Sequence, residues 1–422
     1  MSSTEFNIGS GEAEAAANTL RTTNTIRERC GQLLRRARDG QSTWFEVDED
    51  ALPAAARTVA DVARRRFPKG HIPLHSRWRH LEAGGVDRKG EIQRLLGDVE
   101  RARLGEALVD LTFVSVLLDA GAGPDWSYTE SATGRTYTRS EGLAIASYHA
   151  FVAGMFSCDK DHPLRVDAEG LRALSTDHLA QAFQVRGNNP LVGLEGRAIL
   201  LRRFGEEMRA QPQVFGQTIA RPAGIFDQIM APSPELPYTA DVAAHDILSQ
   251  ILISCSGIWP ADNVIGGVPL GDCWRHPAVR GEGLSDGWVP LHKLSQWLTY
   301  SLLEPFAWAG VQVRGVEALT ALPEYRNGGL LIDSGVLRLR DAAVTQQVWQ
   351  PGDELIVEWR ALTVALLEEL AGHAGKLLHL DPQHQLLARV LEGGTWAAGR
   401  ELAQRERQGL PPLQVASDGT VF

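Results

Sequence analysis

Glu-Arg-Ala-Arg-Leu-Gly-Glu-Ala-Leu-Val-Asp-Leu-Thr-Phe-Val-Ser-Val-Leu-Leu, residues 100 to 118, sets the fold class. Leu104, Leu108, Leu111, Val114 or Ser115, and Leu118 recur every three or four residues, the period of one helix face. Asp110 lies inside this segment, close to the apolar stripe. Outward from it the same period returns. Asn24 to Arg38 is a basic helical pattern, and Leu52 to Phe67 carries Leu52, Ala56, Val59, Val62 and Ala63 on one face. Helices are also expected over Glu141 to Met155 with Ser140 as cap, over Leu171 to Phe183, over Gly196 to Met208 and over Ala240 to Ser254. Val289 to Phe306 returns to helix, ending at Glu304-Pro305, and Pro351-Gly352-Asp353 opens a late helix with Asp353 as its cap. Strand signals are few: Trp44 to Val47, Val311 to Val313 and Val336 to Leu339. The fold class is mainly α with small β elements.

Residues 1 to 22, rich in Ser, Thr, Gly and Ala, read as a flexible tail. Residues 23 to 422 read as one helical domain, since no repeat and no flexible linker interrupts them. A long loop insertion is expected over 256 to 290, Gly-, Pro- and Trp-rich from Gly266 onward, and ordered loops of that length are usually functional.

The chain has 422 residues and a formal net charge of −10, with 44% hydrophobic and 22% charged residues. That balance is ordinary for a globular protein. An acidic chain argues against a phosphate-backbone partner, so no nucleic acid is expected. Cys30, Cys158, Cys255 and Cys273 are scattered without a Cys-x-x-Cys, which reads as reduced thiols. No basic start with an apolar run opens the chain, and no stretch of about 18 apolar residues follows. A cytoplasmic protein without a membrane partner is the expectation.

Several motifs are weighed and set aside. His71, His75 and His80 straddle Pro73 with no fourth ligand in view, so no metal is expected, and a structural or anion-contacting role for them, Arg77 and Arg79 is favoured. There is no phosphate loop, no Gly-x-Ser-x-Gly elbow around Ser254 to Gly257, and no acidic pair of the kind that binds phosphoribosyl diphosphate. No cofactor is expected. Lys293, Trp297, Tyr300 and Glu304 fall near one helix face beside His292. Helix pattern alone favours a lysine snorkelling over Trp297; the alternative is an ammonium at the mouth of an aromatic-lined pocket. Asp272, Trp274, Arg275 and His276 make either a polar lid over a ligand or an exposed turn, and the two readings stand level. Glu324-Tyr325-Arg326, between Pro323 and Gly328-Gly329, reads in isolation as a solvated turn.

Ile72 to His80, Leu291 to Leu302 and Leu319 to Gly329 resemble the uracil-catabolism family of fungi and bacteria, whose members are often labelled uracil phosphoribosyltransferases. The resemblance covers most of the chain from about residue 40 onward. A remoter similarity is to the queuosine-salvage nucleoside N-glycosylases, whose fold resembles that of helix-hairpin-helix DNA glycosylases. Their order of features is matched by Asp110 in an apolar helix, the aromatic segment from Trp126 to Tyr128, and Ser147-Tyr148-His149-Ala150. Lys293, then Glu324-Tyr325-Arg326, then Gly352 to Arg360 complete it. The glycosylases carry aspartate where Glu324 stands, and the loop from Gly266 to Pro290 has no clear counterpart.

The resemblance implies an N-glycosidase that cleaves the N-ribosidic bond of a ring-opened, ribosylurea-like riboside or ribotide in pyrimidine degradation. Glu324 and Lys293 are the implied catalytic residues. Trp126, Trp297 and Tyr325 would wall the pocket, Asp110 would bind ribose hydroxyls, and Arg326 would either line the site or lock Glu324 by a charge-assisted bond. Tyr148, His149, Asp272, Trp274 and His292 join the implied substrate contacts. Phosphoribosyl transfer to uracil and a non-enzymatic nucleic-acid-binding role are the alternatives.

Overall fold

The computed structural model describes residues 10–230, 241–259, 263–382 and 386–416. They gather into two compact units, each assembled from separated stretches of chain. The first takes the described residues up to Ile72, from 263 to Lys293 and from Thr320 to Ala416, and the second takes those from Pro73 to Trp259 and from Leu294 to Leu319. Both are mainly helical, with small two-stranded sheets.

In the first unit the Glu354–Leu378 helix buries residues all round, from Leu355, Ile356 and Val357 to Ala371 and Ala374. A helix apolar on every side has to be enclosed. The Thr23–Arg38 and Leu52–Arg66 helices pack on it. Ile26, Cys30 and Leu33 meet Val357, Ala361 and Val364 in one buried cluster, together with Val289 and Leu291. The Tyr325–Asp333 helix packs on the Trp396–Arg407 helix. Phe45–Val47 pairs antiparallel with Leu337–Leu339, so the strand signals at both places are realised.

Ser10–Leu20, which its composition marked as tail, is a helix in this unit. Ala13, Ala16, Ala17 and Leu20 keep helical spacing and pack against Ile265, Leu270, Cys273 and Trp288. Alanine buries little area per residue, which makes such a stripe faint by sequence. The expected long loop also carries regular structure: Val264–Ile265 pairs with Val268–Pro269, and Cys273–Arg275 pairs antiparallel with Trp288–Pro290. Its residues 260–262 lie outside the described ones.

In the second unit the segment first quoted forms the Arg101–Leu117 helix, buried almost continuously from Leu104 to Leu117. Arg139–Val152 packs on it, with Thr138 and not Ser140 at its N-cap. The helix expected over Leu171 to Phe183 is two, Ala168–Arg172 and Thr176–Ala182, because Ser175 restarts it by accepting the His178 amide. The Lys293–Trp308 helix runs through Pro305 instead of stopping there. No helix of the described residues is long and apolar enough to cross a membrane.

Candidate functional site

In the first unit Glu324 occupies the N-cap of the Tyr325–Asp333 helix, with extended backbone at φ −109° and ψ 158°. Its Oε2 accepts the Arg326 amide at 2.8 Å and its Oε1 accepts the Asn327 amide at 2.6 Å. Shorter residues such as Asn, Asp, Ser and Thr are the usual caps, so a glutamate in this place is uncommon. The side chain is half-buried. Burial pushes the carboxyl above its ordinary value, while the two amides and the Lys293 and Arg326 charges pull the other way without cancelling it. A carboxyl with raised proton affinity is one of the groups suited to acid–base work.

Lys293, half-buried, opens the Lys293–Trp308 helix, and its charge is felt at Glu324. Its amide donates to Asp272 Oδ2 at 2.9 Å. Asp272 is buried and grips Arg360 through both oxygens, at 2.8 Å each, while Trp274 Nε1 donates to Oδ1 at 2.7 Å. Burial raises this carboxyl, but the Arg360 charge and the hydrogen bonds outweigh it and hold it at about 2. With its acceptor capacity used inside the protein, Asp272 is a structural anion and not a substrate contact.

His292 is likewise committed. It sits in left-handed backbone at φ 45° and its Nε2 donates to the Leu20 carbonyl at 3.0 Å. Burial lowers its proton affinity and keeps it neutral. The Arg326 guanidinium lies over the Tyr325 ring at 4.8 Å and donates to the Gly409 carbonyl at 3.0 Å. The amide of Arg326, not its guanidinium, therefore holds Glu324. Tyr325 and Trp274 remain half-buried beside these groups.

A second group in this unit, His276, Glu354 and Glu358, places its donor atoms within 4.8 Å of one another. A metal would need a bare imidazole nitrogen. His276 Nδ1 accepts the Ala278 amide at 3.2 Å, so Nε2 carries the hydrogen and donates to Glu358 Oε2 at 3.3 Å. As bonded, the group is a buried His–carboxylate pair.

In the second unit four expected contacts turn out to be framework. Asp110, fully buried, accepts from Val166 N at 2.9 Å, Ala223 N at 2.9 Å and Arg221 at 2.7 and 3.0 Å. Three of those bonds meet at Oδ2 and one at Oδ1, and with no exposed surface the carboxylate is held inside the unit. Trp126 is also fully buried, stacked on Phe183 with its Nε1 on the Phe183 carbonyl at 3.0 Å. Tyr148 donates to Glu91 at 2.6 Å and is buried. Trp297 donates to Asp119 at 3.1 Å and packs against His75 at 4.4 Å between centroids. His149 is different: half-buried, it holds Glu130 at 2.8 Å. Glu130 also takes Arg88 at 2.6 Å and Thr133 at 2.8 Å.

Sequence reasoning passed over Arg360 and Asn327 as site residues. Arg360 had a signal: an arginine between Trp359 and Leu362 on an apolar helix must be buried, and a buried arginine needs a partner. Asn327 had none, because its part is played by its backbone amide.

The site thus belongs to a helical protein with a helix-capping glutamate, a neighbouring lysine and a buried ion pair. Over residues 19–422 the chain matches the family described as Protein of unknown function (DUF1688), and it belongs to that family. Among its relatives, Protein urg3 of Schizosaccharomyces pombe is 37% identical over 405 residues, covering 94% of this chain and 96% of the relative. Uracil catabolism protein 4 of Lachancea kluyveri is 37% identical over 413 residues, covering 91% of this chain and 93% of the relative.

Proposed function

We propose that this protein is an N-ribosyl hydrolase of uracil catabolism, acting on a ring-opened, urea-bearing riboside or its phosphate. The observation that carries the reading is the Glu324 carboxyl, half-buried at a helix start, raised in proton affinity and accompanied by the Lys293 charge. The name of the Lachancea kluyveri relative supports the pathway. The helical architecture is compatible with a helix-hairpin-helix glycosylase-like fold, which the order of motifs also suggests.

Cleavage of an N-ribosidic bond passes through an oxocarbenium-like sugar, which a carboxylate beside the anomeric carbon stabilises. In its ionised form Glu324 takes a proton from the attacking water. The C–N bond breaks, that proton passes from Glu324 to the departing nitrogen, which leaves as urea, and ribose carries the new hydroxyl. Lys293 contacts the leaving group or the substrate's anionic portion. No cofactor is required by this chemistry.

Incubation with ribosylurea, uridine and UMP, with and without phosphoribosyl diphosphate, tests the reading. Release of ribose or ribose phosphate without the diphosphate is expected. Product formed only with it makes the protein a transferase. Glu324→Gln is expected to lower kcat by about 10²–10⁴-fold, the range for a positioned acid–base group. Full turnover by a folded Glu324→Gln protein would remove that carboxylate from the mechanism.

A further inference from the structure

Arg360 and Asp272 are both nearly inaccessible, at 1% and 4% exposure. A buried ion pair loses the hydration of two charges and seldom stabilises a fold more than an apolar pair would. What this pair does supply is geometry. Arg360 Nε donates to the Pro323 carbonyl at 3.2 Å, on the residue directly before Glu324. At its other end Asp272 Oδ2 accepts the amide of Lys293 at 2.9 Å. The Trp274 indole fixes the Asp272 rotamer at 2.7 Å, and Trp274 is itself pressed on Gly352, where a Cβ would meet its ring at 2.7 Å. One rigid fork therefore fastens the backbone of both residues.

The geometry points to the Arg360–Asp272 ion pair as the clamp that sets the spacing of Glu324 and Lys293. Arg360 is on this view a positioning residue, a role that rests on the proposed function for its catalytic meaning. Lysine cannot replace it, because a single ammonium cannot fork two carboxylate oxygens and also reach the Pro323 carbonyl.

Arg360→Lys, which keeps the charge and loses the fork, is compared with wild type by two readouts. Hydrolysis of ribosylurea is expected to lose kcat by about 10²-fold, the scale of a 1 Å misplacement, with KM little changed. Separately, the titration of carbon-13-labelled glutamate, assigned with Glu324→Gln, is expected to show the Glu324 midpoint moving upward as the Lys293 charge recedes. A folded Arg360→Lys protein with wild-type kcat and an unmoved midpoint overturns the clamp. A moved midpoint in a protein that hydrolyses no riboside sustains the clamp and defeats the proposed reaction instead. Should Arg360→Lys not fold, Trp274→Phe removes the indole bond to Asp272 together with part of the packing on Gly352, and leaves the Arg360–Asp272 fork in place. A smaller upward shift is then expected, and none overturns the inference.

Discussion

Glu324 combines two demands that ordinarily fall to different residues, capping a helix and presenting a carboxyl. An aspartate caps at least as well, with one methylene less of reach. Glu324→Asp is therefore expected to keep or raise the melting temperature while kcat drops by about 10- to 100-fold. Equal activity in the two proteins would mean that the carboxylate position does not limit the reaction. Asp272 poses the complementary case. Asp272→Asn leaves a buried guanidinium without its anion, and the expected cost is about 3–5 kcal/mol in urea unfolding. Adding Arg360→Met removes the stranded charge, so the double variant should be more stable than Asp272→Asn alone. A double variant no more stable than that single one would show that the pair contributes through something other than mutual compensation.

The Tyr325–Asp333 helix is the element that aims Glu324, and Gly328 decides how closely it lies on the Glu354–Leu378 helix. A Cβ at Gly328 would meet the Trp359 indole at 2.7 to 2.8 Å, and Trp359 Nε1 already donates to the Gly328 carbonyl at 3.2 Å. Gly328→Ala is expected to cost about 1–3 kcal/mol by overpacking. It should also lower kcat, since the helix must shift with Glu324 at its head. Unchanged stability by thermal unfolding would contradict that packing. Elements of this kind were legible where apolar spacing was dense, as in Arg101–Leu117 and Glu354–Leu378. Of the expected site residues Glu324, Lys293, Tyr325 and Trp274 remain half-buried in the first unit, and the sequence could not separate them from the buried ones, because a polar residue beside an apolar stripe reads alike in a pocket and in a core. Asp110 shows why: its partner Arg221 lies 111 residues away, and nothing local announces the pairing. Trp126 and His292 are settled by carbonyls 57 and 272 residues away, those of Phe183 and Leu20.

At the scale of the molecule, acid stability draws on buried carboxyls held below their ordinary value, among them Asp272 in the first unit and Glu130 in the second. Asp272 is held at about 2 by the Arg360 charge and hydrogen bonds against the opposing effect of burial. Glu130 is also held at about 2, where burial raises it and hydrogen bonds from Arg88, His149 and Thr133 outweigh that effect. In an unfolded chain the same groups titrate near 4. A folded value below the unfolded one stabilises the protein at any pH above the unfolded value, and the contribution disappears as pH falls through the folded value. The window is therefore about pH 4 to 2, and each group supplies on the order of 2–3 kcal/mol across it. Urea midpoints measured at steps from pH 5 to pH 2 should fall steeply in that window for wild type. Asp272→Asn and Glu130→Gln should each flatten the slope, whatever their absolute stability, because the amide no longer takes up a proton on unfolding. If both variants keep the wild-type slope, neither carboxyl is held low, and the anchoring of Asp272 by Arg360 is weaker than its two 2.8 Å bonds imply.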